Sequence, residues 1–235
     1  MKLTKIYDDD DLQRLYNESY FTGRAKPPMW RRRAEFIIEK FHPKITLDIG
    51  SATGDLVKSL NELGVDAYGV DGSDYAISNV DPKIKNKIFK VNLNCDKLPF
   101  GNNTFDLISG FYSIEHIHNI QFFANEIHRT LKNTGHIWFL TPNVGIKDRN
   151  NYDVFNNKFE DWKKIFETYG FNVRKFSPHE MLTLKGKLRR FRLYKLSRSA
   201  QNIVKRIAYD LSNKTSMNDT SFILTKAYNY IEDFQ

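Results

Sequence analysis

The chain has 235 residues, 40% of them hydrophobic and 14% aromatic, which suffices for one domain with a sizeable core and argues against wholesale disorder. Its longest apolar runs, such as Trp138–Leu140, are far too short to cross a bilayer, and the opening MKLTKIYDDDD lacks the apolar stretch of an export signal. The net charge of +8 is unevenly placed: residues 181–209 hold nine basic side chains and no acid, which leaves −1 on the remainder. The one cysteine, Cys95, cannot close an internal disulfide, so a reducing, cytoplasmic setting is the default expectation. No Cys/His cluster has zinc spacing, and no metal is expected.

The first forty residues predict two helices, Asp10–Ser19 and Trp30–Lys40, separated by the breaker stretch TGRAKPP. From there the pattern alternates. Lys44–Ile49 is a short apolar run ending at glycine, hence a buried strand. Asp55–Leu63 has helical spacing at Leu56, Leu60 and Leu63 and is closed by Gly64. Asp66–Val70 reads as a strand, followed by a short helix from Ser73 or Asp74; Lys87–Leu93 and Phe105–Phe111 read as two more strands. Ile120–Leu131 is an amphipathic helix, Gly135–Leu140 a fifth strand, Phe159–Tyr169 a helix and Phe171–Phe176 a sixth strand. Residues 181–211 read as helical and basic, and Ser221–Lys226 as a last strand. Alternating strands and helices imply βαβ units, a mostly parallel seven-stranded sheet and an α/β fold with helices on both faces. The expected layout is a single domain over 1–235: an N-terminal helical cap (1–43), a core (44–178), a basic helical insertion (179–219), then the last strand and tail (220–235).

Leu47–Asp55, LDIGSATGD, sits at the first strand-to-helix junction. Gly50 permits a sharp turn and close approach of the backbone to a ligand, and Gly54 opens the helix where free N–H groups can face a polar group. Asp71 ends the next strand, where a carboxylate can accept from two ribose hydroxyls. A dinucleotide fingerprint starting at Gly50 would need glycine or alanine at 55, which is Asp55.

These residues carry a resemblance. Asp48-x-Gly50-x-Ala52-x-Gly54 resembles motif I of class I S-adenosylmethionine-dependent methyltransferases, with alanine in place of the commoner middle glycine. Leu98–Ile117, LPFGNNTFDLISGFYSIEHI, is similar to the LPF…FD…EH signature of the subgroup that includes ubiquinone and menaquinone methyltransferases, and Leu131–Asn143 to its fifth-strand segment. The resemblance covers roughly 44–176 and implies a Rossmann-like sheet and S-adenosyl-L-methionine as cofactor. It also implies residue roles. Asp48, Gly50, Ser51, Ala52 and Gly54 would line the methionine and ribose part, Asp71 would take the ribose hydroxyls, and Gly72 would lie beside the adenine. Asn92 and Leu93 fall where an aspartate often accepts from the adenine amino group, a task open to an amide oxygen. Gly110 and Phe111 would sit near the reacting methyl.

The cofactor carries an activated donor, so the protein must mainly align a nucleophile. Two readings of the EH pair stay open: His116 as base for a hydroxyl acceptor with Glu115 beside it, or both as loop-orienting and capping groups. Tyr20, Tyr112 and Tyr152 are acceptor-pocket candidates, with packing as the commoner use of such rings. Arg24 or one of Arg31–Arg33 could reach the cofactor's carboxylate, while a solvated helix face accounts for at least two of them. The expected activity is methyl transfer to a small-molecule, glycan or lipid-linked acceptor, at oxygen. The alternatives are an RNA (tRNA) methyltransferase using the basic segment, or a non-catalytic S-adenosylmethionine-binding protein. Residues 181–209 would serve an anionic surface, membrane or RNA, or pack over the site with their charges in solvent.

Overall fold

The computed structural model describes residues 9–21, 27–142, 157–176 and 219–227. Three helices precede the sheet: α1 (Asp9–Leu15), α2 (Glu18–Phe21) and α3 (Pro27–Phe41). The single helix expected over Asp10–Ser19 breaks at Asn17, whose side-chain oxygen accepts from the Ser19 N–H and hydroxyl at 2.9 and 2.7 Å. The next helix begins before Trp30, because Pro27 and Pro28 open it at positions where a missing N–H forfeits no helical bond.

The remaining elements are β1 (Ile45–Ile49), α4 (Asp55–Glu62), β2 (Asp66–Asp71), α5 (Asp74–Ser78), β3 (Ile88–Lys90), β4 (Phe105–Phe111), α6 (Ile120–Thr130), β5 (Leu131–Pro142), α7 (Phe159–Thr168), β6 (Phe171–Lys175) and β7 (Asp219–Lys226). They form a seven-stranded sheet in the order β3-β2-β1-β4-β5-β7-β6. β1 to β5 pair in parallel, whereas β7 lies antiparallel between β5 and β6. The order reverses between β1 and β4, and a crevice therefore opens at the carboxyl ends of these strands.

β3 is shorter than the Lys87–Leu93 run suggests. The chain leaves the sheet after Lys90 because Asn92 starts a side-chain turn, its Oδ1 accepting from the Asn94 N–H at 3.1 Å. β5 is longer than expected and starts at Leu131, with a register shift opposite Phe105 and Leu107. The helices predicted over 181–211 lie outside the described residues.

Side chains alternate between two buried faces. Ile137 and Phe139 of β5 pack with α6 and α7 through Phe123, Ile127, Trp162 and Phe166. Trp138 and Leu140, one residue out of phase, pack with α3 and α4 through Phe36, Ile37, Leu56 and Leu60. Asp106 fixes the foot of the sheet, accepting from the Lys44 and Ile45 N–H groups at 2.9 and 3.0 Å and pairing with Lys132 at 2.7 Å.

Candidate active site

The loop after β1 is built from left-handed residues: Gly50 at φ 67°, Ala52 at φ 50° and Gly54 at φ 84°. This coil turns successive amides inward. Gly50 and Ser51 N–H both donate to the Val70 carbonyl at 2.9 and 3.0 Å, tying the turn to β2. The Ala52 N–H donates to one oxygen of Asp71 at 2.8 Å, and the Ser73 N–H to the other at 2.9 Å. Asp71 is thus clamped by two amides while each oxygen keeps lone-pair capacity for a ligand. Burial raises its pKa, and the two amide bonds oppose that rise.

A cavity of about 430 Å³ lies over this loop. One end is walled by Asp71, Gly72, Val91, Asn92 and Leu93, the other by Met29, Trp30, Arg33, Phe111 and Tyr112. The N-terminal helices form its roof through Leu12, Tyr16, Tyr20 and Phe21. Gln13 latches this roof to the turn after β2: its amide donates to the Gly72 carbonyl at 2.9 Å and its oxygen accepts from the Asp74 N–H at 2.7 Å. The Ser73 hydroxyl adds a bond to the Tyr16 carbonyl at 2.6 Å.

Asp48 forms part of the floor. Its carboxylate accepts from the Ser109 hydroxyl at 2.7 Å, and its pKa is pushed up to about 7, chiefly by burial, with Ser109 and Arg33 opposing. At the mouth Tyr112 occupies a strained φ of 58° and its phenol donates to Asp219 at 2.7 Å, joining β4 to the start of β7. His116 lines the cavity edge-on to Tyr16, with ring centres 5.6 Å apart.

The structure brings Asp48, Gly50, Ser51, Ala52, Asp71, Gly72, Asn92, Leu93, Phe111 and His116 around one space. Gly54, Gly110 and Glu115 stand behind its wall instead. The Gly54 N–H is spent on the Ser51 carbonyl at 2.9 Å, and a methyl group there would lie 2.7 Å from Ile84. One at Gly110 would lie 2.9 Å from the Phe139 ring, so that glycine serves sheet packing. Glu115 is buried, with Oε1 3.9 Å from His116 Nε2. The Asn92 Oδ1 accepts from the Asn94 backbone and side chain at 3.1 and 3.2 Å. That oxygen shapes the loop at the cavity wall. Tyr20 and Tyr112 line the cavity, and Tyr152 and Arg24 lie outside the described residues. Sequence reasoning passed over Gln13 and treated Arg33 as one of three equivalent cations. A signal for Arg33 existed: it falls beside Trp30, Ala34 and Ile37, on the apolar stripe of its helix.

This sheet order, the left-handed glycine loop and the clamped carboxylate at the end of β2 define the class I S-adenosylmethionine-dependent methyltransferase fold. Residues 22–178 match the methyltransferase domain family, and the chain belongs to it. It is 27% identical over 111 residues to a demethylmenaquinone methyltransferase of Porphyromonas gingivalis, covering 44% of this chain and 45% of that one. It is 26% identical over 154 residues to the ubiquinone/menaquinone biosynthesis C-methyltransferase UbiE of Blochmanniella pennsylvanica, covering 62% and 56%. The chain spans about half the length of the curated relatives it matches. A crystal structure of a SAM-dependent methyltransferase from Archaeoglobus fulgidus shares the fold, with TM-score 0.59, 18% identity, and coverage of 86% of this chain and 96% of that one. S-adenosylmethionine is the cofactor of this class, and the residues present suit it: a carboxylate clamped by two amides, buried Ser51 and Ser113 hydroxyls without partners, and a stretch of cavity wall at Gly72 that carries no side chain. Among the described residues no helix is long and apolar enough to cross a membrane, and no cluster of three His, Cys, Asp or Glu side chains is arranged to hold a metal.

Proposed function

We propose that this domain transfers the methyl group of S-adenosylmethionine to a small organic acceptor that enters past Met29 and Tyr112. The observation that carries the reading is Asp71, held by two loop amides and facing the cavity. When bound, the cofactor supplies a methyl already activated on a sulfonium. Asp71 would accept from the ribose hydroxyls, and Gly72 would lie beside the base. Met29, Trp30, Phe111 and Tyr112 would hold an apolar, flat portion of the acceptor and exclude water. For an oxygen acceptor, His116 would receive the hydroxyl proton on its imidazole. The relatives named for demethylmenaquinone make a quinone-type ring one member of this acceptor class.

Isothermal titration with S-adenosylhomocysteine tests the reading. Saturable binding is expected, without comparable binding of NAD, and Asp71→Ala should weaken it by about 1–3 kcal/mol, the cost of unpaired polar groups. Tight NAD binding, or no effect of the substitution, would sink the assignment.

The composition of residues 181–209 favours a second, compatible element: contact with an anionic surface, such as that of a membrane carrying a lipid-linked acceptor. Flotation with anionic vesicles that weakens as salt rises supports it; a gel shift with RNA instead would redirect it.

A further inference from the structure

Tyr112 follows the last residue of β4 and lines the cavity, with 37% of its surface exposed and open to a ligand. Its φ of 58° lies in the left-handed region, which a bulky residue occupies only where its surroundings enforce it. Two bonds enforce it here: the Tyr112 N–H donates to the Leu140 carbonyl and the phenol to Asp219, each at 2.7 Å. Leu140 belongs to β5 and Asp219 opens β7, so the strained residue is tied to two further strands.

The bond to Asp219 sets what the phenol can offer. A phenol has one proton, and Asp219 takes it, so the oxygen can only accept from anything else. Burial and the bond to Asp219 raise the Tyr112 pKa, so the proton stays on the phenol at neutral pH. Beside the apolar Met29, Trp30 and Phe111, this corner of the mouth is therefore matched by a hydrogen-bond donor on the ligand. A flat ring with a free hydroxyl or amino group meets both demands, whereas its methyl ether brings no proton. We propose that the Tyr112–Asp219 pair is a specificity element, selecting acceptors whose ring carries a free hydroxyl or amino group apart from the methylated atom. The inference rests on the methyltransferase reading and deepens it by naming a substituent of the acceptor. Tyr112 is a positioning residue in this role: no proton passes through it, and His116 keeps the task of receiving one.

Equilibrium dialysis of α-naphthol and its methyl ether against protein saturated with S-adenosylhomocysteine tests the pair. Wild type should prefer the naphthol by roughly threefold to tenfold, the worth of one net hydrogen bond. Tyr112→Phe keeps the ring and removes the oxygen, so the ratio should fall to about one as the naphthol loses affinity. Asp219→Asn should level the two ligands by the opposite route, with the ether gaining affinity. An amide can donate to the phenol oxygen and free the phenol proton, which the ether oxygen then accepts. A pair that merely ties β4 to β7 would change both affinities alike and leave the ratio intact. A wild-type ratio below about twofold, or one that survives either substitution, overturns the proposal. Should Tyr112→Phe fail to fold, Asp219→Asn decides alone. If wild type does not bind S-adenosylhomocysteine, the methyltransferase reading fails, and the same two ligands on the free protein still decide the role of the pair.

Discussion

At the scale of single residues, the motif positions divide by what competes for them. Asp71 was legible because a carboxylate at the end of the second strand has few local partners, and the loop amides complete it. Asn92 lines the cavity as expected, but its bonds with Asn94 could not be read from the sequence because they form only once the chain turns. Ala52 shows how alanine replaces a glycine: it adopts φ 50° at a cost of about 1–2 kcal/mol, and its N–H gains the Asp71 carboxylate. His116 faces the cavity while Glu115 lies behind it, which separates the two members of the EH pair. If His116 is the proton acceptor, His116→Ala should slow single-turnover methyl transfer by roughly 10²–10⁴-fold while S-adenosylhomocysteine affinity stays nearly constant. A slowing below about threefold in that step would return His116 to loop orientation.

At the scale of elements, much of the family-like signature describes architecture. In the stretch LPF…FD, Leu98, Phe100 and Phe105 enter or border the core, and Asp106 pins the foot of β1. The loop carrying Leu98 is fastened to α6: Glu126 accepts from the Leu98 N–H at 2.8 Å, and Arg129 donates to the Leu98 and Phe100 carbonyls at 3.1 and 2.8 Å. This tertiary latch cannot be read from periodicity, which predicted only an amphipathic helix there. Glu126→Ala should destabilise the domain by about 1–3 kcal/mol in urea denaturation, because it leaves the buried Leu98 N–H unpaired. An unchanged midpoint would show that water replaces the carboxylate.

At the scale of the whole molecule, alternation of strands and helices made the α/β class legible, whereas strand boundaries shifted wherever a side chain claimed the backbone. Asp48 gives the fold a dependence on pH. Its folded pKa, about 7, lies above the ordinary 3.8, so the folded state holds a proton that the unfolded chain has lost. The group's contribution to stability therefore falls as pH rises from about 4 to about 7. Asp48→Asn should gain on wild type across that interval by on the order of 2–4 kcal/mol, measured by urea denaturation at several pH values. A difference that stays flat with pH would show that Asp48 remains ionised. The position of β7 bears on how such a chain is made. β1, β2 and β4, which carry the loop and the clamped carboxylate, are synthesised well before residues 219–226, so half of the sheet can pair while the outer edge of β5 is still bare. The late strand then closes the seam between β5 and β6, and with it Asp219 reaches the Tyr112 phenol. The floor of the cavity can thus form before the strand that carries Asp219 has been made.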